Sequence, residues 1–124
     1  MNFKFDNNIP IYIQLVEYLK IYIISGKIKP GERIMPVREL ALKTKVNPNT
    51  MQKALVELES LKLIYTESTN GRFVTKDEKL INKYKEKYAK ELSDKYFSQM
   101  ASIGFSSKET IKYLNDLGGK DGIS

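Results

Sequence analysis

The period of the hydrophobic positions changes several times along this chain of 124 residues, and each change predicts a new element. Residues 9–26 carry apolar side chains at the three- and four-residue spacing of a helix, with Pro10 suited to its first position and Gly26 to its end. Its predicted apolar face comprises Tyr12, Leu15, Val16, Leu19, Tyr22 and Ile23. A turn is expected next, at Pro30 and Gly31.

A second, shorter helix is predicted to begin near Pro36. Its apolar stripe comprises Val37, Leu40 and Ala41, and Arg38 lies off that stripe. Only a short turn separates the end of this helix from Asn47, where a third helix is expected to begin. Two short helices joined by a tight turn, the second being the more amphipathic, are typical of a helix-turn-helix.

The third helix begins within VNPNTMQKALVELESLKLIYT, residues 46–66. Asn47 suits the N-cap, Pro48 suits the first helical position, and Val46 is placed to pack on Met51 as a hydrophobic staple. The predicted buried stripe comprises Met51, Ala54, Leu55, Leu58 and Leu61, which leaves Asn49, Thr50, Gln52 and Lys53 facing outward. Asn and Gln on the first turns of a recognition helix can pair bidentately with adenine. The alternative is that any exposed first turn carries such polar residues.

Two β-prone runs, residues 63–67 and 72–75, flank Asn70-Gly71 and predict an antiparallel hairpin. A hairpin directly after a recognition helix forms a wing. Its tip, Thr69, Asn70 and Arg72, is expected to reach a minor groove or a phosphate. The predicted fold class is therefore mainly α with a small β-hairpin wing: a winged helix-turn-helix domain (residues 1–76) followed by two C-terminal helices (residues 77–124).

The C-terminal segment predicts one long helix and then a short one. The short helix would begin with a capping box from Ser106 to Glu109 and carry Ile111, Leu114 and Leu117, whereas residues 118–124 are expected to be loose. The apolar stripe of the long helix is too large for the small domain to cover, so we expect a dimer interface. Its predicted residues are Leu80, Tyr84, Tyr88, Leu92, Tyr96, Met100, Ile111 and Leu114. The alternative is that this stripe packs within one chain against the first helix.

Charge and composition narrow the function classes. Of the net charge of +6, residues 1–76 carry +5 (12 Lys/Arg, 7 Asp/Glu) and residues 77–124 carry +1 (9 and 8), as expected if the first part binds phosphates. The chain contains no Cys and no His, which removes thiol nucleophiles, the usual zinc ligands and an imidazole base. We therefore expect no enzyme, no metal and no cofactor. No apolar run approaches the roughly 20 residues of a membrane span, and we expect a cytoplasmic protein.

The motifs PIYIQL, SGKIKPGERI, VRELA, VNPNTMQKALVELESLKLIYT and GRFV follow one another in residues 9–76. In this order they resemble the winged-helix domain of the GntR family of bacterial transcriptional regulators. VNPNT, together with the short C-terminal part, resembles the YtrA-type subfamily in particular. The resemblance implies a homodimeric repressor bound to a palindromic DNA operator, often that of an ABC-transporter operon.

The resemblance also implies roles for single residues. Arg38 would contact phosphate or base, and Gly71 would be the glycine of the wing. The recognition-helix positions would be Asn47, Asn49, Thr50, Gln52 and Lys53. The chain departs from the family pattern in having Ile34-Met35-Pro36 where Leu-Pro-Ser is usual, so a capping serine and its phosphate contact are missing. Lys62 stands where a glycine is usual, and the wing has fewer basic residues than is common.

Two further hypotheses remain open from the sequence. The winged helix could be a protein-interaction module without specific DNA binding, although such a face should carry aromatic or aliphatic anchors rather than Asn, Thr, Gln and Lys. The dimer could also enclose a pocket for an effector of unknown identity. Its candidate lining residues are Tyr84, Tyr88, Tyr96, Phe97 and Phe105.

Overall fold

The computed structural model describes residues 1–121, which form five helices and one two-stranded antiparallel sheet. The elements are α1 (Ile11–Ile24), α2 (Val37–Thr44), α3 (Pro48–Ser60), β1 (Ile64–Thr66), β2 (Arg72–Val74), α4 (Glu78–Ser102) and α5 (Ser107–Asp121). This architecture confirms the predicted fold class. None of the described helices has the length and apolar character needed to cross a membrane.

The chain divides into two compact units, Met1–Lys85 and the described residues from Glu86 onward, and α4 belongs to both. The first unit therefore continues beyond residue 76, the predicted end of the DNA-binding domain. It does so because Ile81 is buried and Tyr84 packs on the core, with its hydroxyl donating to the Leu61 carbonyl at 3.4 Å.

The core of the first unit forms where α1 and α2 pack on α3 and the hairpin closes one end. Its largest fully buried side chains are Leu15, Leu19, Ile23, Leu40, Met51, Leu55, Leu58, Leu63, Ile64 and Val74. The predicted faces of α1 and α3 are thus confirmed, except that Tyr12, Tyr22 and Leu61 are only partly buried. Both helices of the helix-turn-helix consequently rest on one rigid apolar base.

Two non-glycine residues in left-handed conformation shape the turns on either side of α3. Lys45 ends α2 with φ 57°, and Val46 then donates its N–H to the Ala41 carbonyl at 3.0 Å. Lys62 follows α3 with φ 66° and stands where the resemblance leads one to expect glycine. A side chain at such a position is strained, since Cβ approaches the following carbonyl oxygen.

The hairpin pairs Ile64 with Val74 and Thr66 with Arg72. Its loop is longer than the Asn-Gly signal predicts: Ser68–Asn70 form a 3-10 turn, and the Glu67 N–H donates to the Gly71 carbonyl at 2.9 Å. The two strands are correspondingly shorter than predicted. The physical reason is that Ser68 (φ 44°) and Gly71 (φ 103°), rather than Asn70 and Gly71, take up the positive backbone angles.

The second unit contains the later turns of α4 and all described residues of α5. The predicted capping box is confirmed, since Ser106 N–H donates to Glu109 Oε1 at 3.0 Å and Glu109 N–H donates to Ser106 Oγ at 3.1 Å. The hydrogen bonds from the Ser106 backbone and side chain lower the pKa of Glu109. The loose tail expected from Gly118 is wrong for residues 118–121, which continue α5, and residues 122–124 lie outside the described part.

Candidate nucleic-acid interface

The first turn of α3 is fixed by its own cap. Asn49 N–H donates to the side-chain oxygen of Asn47 at 2.8 Å, and Pro48 occupies the first helical position. Both features were predicted. Because the side-chain oxygen of Asn47 accepts the capping hydrogen bond, the side-chain NH2 group is the part of this amide that remains to contact DNA.

The predicted recognition residues share the outward face of α3. Asn49, Gln52 and Lys53 are all exposed, and Gln52 and Lys53 follow Asn49 by three and four residues, so the three lie on one side of the helix. Thr50 is half-buried. The opposite side carries Met51, which is fully buried in the core. The polar face is thus held by a helix that cannot rotate without exposing its apolar stripe.

Lys53 has a neighbour that the sequence did not predict. Its Nζ lies 4.4 Å from the ring centre of Tyr12 on α1, and the Tyr12 hydroxyl donates to Glu57 Oε2 at 3.4 Å. Partial burial, followed by the charge of Glu57, raises the pKa of Tyr12. A cation over an aromatic ring is held weakly but directionally, so Tyr12 limits where Lys53 points.

Arg38 lies exposed in the first turn of α2. No side chain caps α2, whose N-cap is Pro36, as expected from the missing serine. A shallow cavity of about 610 Å³ is lined by Arg38, Ala41, Leu42, Lys45, Val46 and Pro48. It joins α2 to the start of α3, so Arg38 and the recognition helix border the same surface.

The three residues predicted for the wing tip differ in exposure and in the direction of their side chains. Thr69 and Asn70 are exposed at the tip, beside Gly71. Arg72 instead turns back to α3, where its Nε donates to Glu59 Oε1 at 2.8 Å. The sequence predicted an outward reach for this side chain.

Glu59 is the carboxylate that holds the wing to the recognition helix. Besides Arg72, it accepts the Thr66 hydroxyl at 2.9 Å. The hydrogen bond from Arg72 is the main cause that lowers the pKa of Glu59. The wing is consequently anchored to α3 from both of its strands.

Arg33 is a second residue for which the sequence predicted no role. It lies in a segment that pairs with the outer edge of β2, opposite Phe73. Its side chain is exposed, and its Nε donates to the backbone carbonyl of Asn70 at 3.0 Å. The sequence shows only an arginine in GERI, and it could not indicate the contact with Asn70, which lies 37 residues further along the chain.

The predicted dimer-interface residues differ in exposure. Leu80, Tyr84 and Tyr88 are half-buried and Met100 is buried, whereas the remaining four are exposed. Those four are Leu92, Tyr96, Ile111 and Leu114, and Ile103, Tyr113 and Leu117 of the same unit are exposed as well.

Residues 1–121 hold no cluster of acidic or other metal-binding side chains that could take a metal ion.

Comparisons with known proteins connect this geometry to a family. The family model for bacterial regulatory proteins of the gntR family matches residues 11–74, from the start of α1 to the end of β2. The uncharacterized HTH-type transcriptional regulator YhcF of Bacillus subtilis is 30% identical over 112 residues, which cover 90% of this chain and 93% of that protein. The HTH-type transcriptional repressor YtrA of the same organism is 39% identical over 70 residues, covering 56% and 54% respectively.

Solved structures agree with the sequence matches. A GntR family transcriptional regulator from Listeria monocytogenes superposes with a TM-score of 0.80 at 36% identity, over 90% of this chain and 98% of that one. The AraR DNA-binding domain in complex with operator ORX1 superposes with a TM-score of 0.54 at 29% identity, over 60% of this chain and 95% of that one. These relatives are transcription regulators and not enzymes, as the composition predicted. The chain belongs to the GntR family of bacterial regulatory proteins and is a DNA-binding transcriptional regulator.

Proposed function

We propose that this regulator is a homodimeric repressor that binds a palindromic operator and occludes a promoter. The observation that carries the proposal is the outward face of α3, where Asn49, Gln52 and Lys53 stand exposed on a helix whose other side is buried. Asn and Gln side chains read adenine edges in the major groove, and Lys contacts phosphates. A face built for a protein partner would instead carry apolar anchors.

Phosphate contacts supply most of the affinity in this proposal. Arg38 borders the same surface as α3, and the excess positive charge lies in residues 1–76. Affinity that depends on such cations falls steeply with salt concentration, since binding releases counterions from the DNA. Base contacts from α3 then give a preference for particular sequences among the DNA sites that the positive charge binds.

The second unit joins the two chains of the dimer. Leu92, Ile103 and Ile111 are 67%, 69% and 52% exposed in the single chain. Leu92 lies on α4, Ile111 on α5 and Ile103 in the turn between them. Exposed apolar side chains of this number indicate a surface that another chain covers. A two-fold dimer presents two recognition helices to two half-sites, so its operator is palindromic.

Analytical ultracentrifugation tests the dimer separately from DNA binding. We expect the wild type to sediment at twice the 14.3 kDa of one chain, and Leu92→Asp together with Ile111→Asp to give monomers. Lys95→Asp is the matched control, because it places the same acid at an exposed polar position of α4. A wild type that sediments as a monomer at micromolar concentration contradicts the interface.

The matches to YhcF and YtrA support a place in the YtrA-like subfamily, and the resemblance implies an ABC-transporter operon as the target. We place the protein in the cytoplasm, where its DNA would be. The aromatic side chains of the second unit are expected to fill the interface between the two chains, and a pocket shared by the chains for an effector is the alternative.

Mobility shift with purified protein tests the function. The probes are the promoter upstream of its own gene and a random duplex of equal length, each across a salt series. A tight complex on the promoter that survives competitor DNA is the expected result. Equal binding to both probes that vanishes with salt would favour the alternative function, a protein-interaction module whose DNA affinity is only charge.

A further inference from the structure

The cation that the sequence assigned to the wing tip, Arg72, is half-buried and paired with a carboxylate. Arg72 Nε donates to Glu59 Oε1 at 2.8 Å, and the side chains of this ion pair are only 21% and 32% exposed, so that Arg72 is held against α3 and its charge is paired. Turning Arg72 outward would leave a carboxylate without its main partner beside α3, which costs free energy. A different residue must supply positive charge at the wing tip if the wing touches DNA.

Arg33 stands where that charge is needed. The backbone of its segment is fixed to β2, since Ile34 N–H donates to the Arg72 carbonyl at 2.8 Å and Val74 N–H donates to the Glu32 carbonyl at 2.9 Å. From this position the exposed side chain reaches the wing loop, where its Nε donates to Asn70. Arg33 is therefore anchored at both its backbone and its Nε.

The anchoring leaves most of the guanidinium available. Of five N–H donors, the bond to Asn70 uses the one on Nε, so the four on the terminal nitrogens remain. Within the described residues, Arg33 makes no ion pair. Two terminal nitrogens of an oriented guanidinium fit the oxygens of a phosphate as a fork.

Gly71 makes room for this arrangement. A Cβ at position 71 would lie 3.2 Å from Nε and 3.4 Å from Nη2 of Arg33, and the φ of 103° is itself unfavourable for a side chain. The glycine of the wing thus serves Arg33 as well as the turn.

We propose that Arg33 is the residue through which the wing binds the DNA phosphate backbone, and that its bond to the Asn70 carbonyl aims it there. The proposal rests on DNA binding through α3 and adds a contact on the wing. Arg33 would also provide a contact to a DNA phosphate near the start of α2, where the serine usual in the family is absent.

The test measures fluorescence anisotropy of labelled promoter and random duplexes with wild type, Arg33→Ala and Arg33→Lys across a salt series. Arg33→Ala is expected to weaken binding to both duplexes by about the same factor, roughly five- to tenfold, and to lower the salt slope by about one for each bound protomer. Arg33→Lys keeps the charge and loses the fork, so its slope stays while its affinity falls less. Lys108→Ala, which removes one exposed positive charge from α5, is the matched control and should change neither quantity.

Three results would overturn the proposal. One is an Arg33→Ala protein whose affinity and salt slope equal those of wild type. Another is a loss confined to the promoter with an unchanged slope, which means that Arg33 reads a base. The last is an equal loss of slope in Lys108→Ala, which means that only net charge matters.

Two controls keep the outcomes separate. Thermal melting shows whether Arg33→Ala is folded. If it is not, Arg33→Lys and Arg33→Gln are compared at equal stability, and only Arg33→Gln should have the lower salt slope. A wild type that binds both duplexes equally would contradict the specific repressor, yet the salt slope of Arg33→Ala on random DNA would still decide the role of Arg33.

Discussion

Asn49 N–H donates to the side-chain oxygen of Asn47 at 2.8 Å, so a side chain that is predicted to contact DNA also caps α3. We therefore expect the Asn47 side chain to serve both the stability of α3 and the recognition of DNA. A loss of DNA binding on changing Asn47 could result from the lost helix cap or from a lost contact of the amide NH2 group. Two variants separate these causes.

Asn47→Ala should lower the free energy of unfolding by about 1 kcal/mol, within a range of roughly 0.5–2, because the first turn of α3 loses its cap. Asn47→Ser keeps a capping oxygen but removes the amide NH2 that faces outward. We expect it to unfold like wild type in urea and to bind operator DNA more weakly. Wild-type operator affinity in Asn47→Ser would limit Asn47 to the cap.

Gln52→Ala and Arg38→Ala should have different effects on DNA binding: one on sequence preference, the other on overall affinity. Loss of a phosphate contact at Arg38 weakens binding to all sequences, whereas loss of a base contact at Gln52 relaxes the preference at one or two positions, each worth about 1–3 kcal/mol. Selection from a randomised operator library with each variant measures both effects. An equal loss on operator and random DNA for Gln52→Ala would show that Gln52 does not read bases.

Lys62→Gly should raise the free energy of unfolding by about 1 kcal/mol, because φ 66° strains any residue with a Cβ. Urea denaturation measures it. Lys62→Ala is the matched control, since it removes the charge and keeps the Cβ, and it should leave stability close to that of wild type. Equal stabilisation by both variants would assign the gain to charge instead of backbone strain.

The contact of Glu59 with Arg72 should make stability depend on pH. Because the pKa of Glu59 is lowered in the folded state, its contribution is present above the ordinary value of about 4.3 and is lost as the pH falls through the lowered value. Glu59→Gln should cost up to about 1 kcal/mol at pH 7, a figure already reduced for solvent screening, and the cost should shrink in acid.

Urea midpoints of wild type and Glu59→Gln across pH check this dependence. The control is Glu86→Gln, which changes an exposed carboxylate of α4. A difference between wild type and Glu59→Gln that stays constant from pH 7 into acid would mean that packing, not ionisation, explains the cost.

Features set by neighbouring residues could be predicted from the sequence. The cap of α3 and the box of Ser106 with Glu109 join residues two or three positions apart, so spacing alone is enough to find them. The apolar stripe of α3 follows from helical geometry in the same way.

Features set by packing between distant segments could not be predicted. Arg72 turns inward because α3 brings Glu59 beside the wing, and Arg33 reaches Asn70 only after its segment pairs with β2. Nothing in the local sequence distinguishes the two arginines. The sequence therefore assigned the outward role to Arg72, which lies in the hairpin, and gave none to Arg33.

Hydroxyl-radical footprinting of the promoter upstream of its own gene tests the central claim most directly. A two-fold dimer that reads DNA with α3 predicts two symmetry-related protected tracts on one face of the duplex, about one helical turn or a multiple of it apart. The same tracts should disappear when Asn49 and Gln52 are both changed to alanine. Uniform protection without symmetry, unchanged in that double variant, would contradict sequence-specific binding by a dimer.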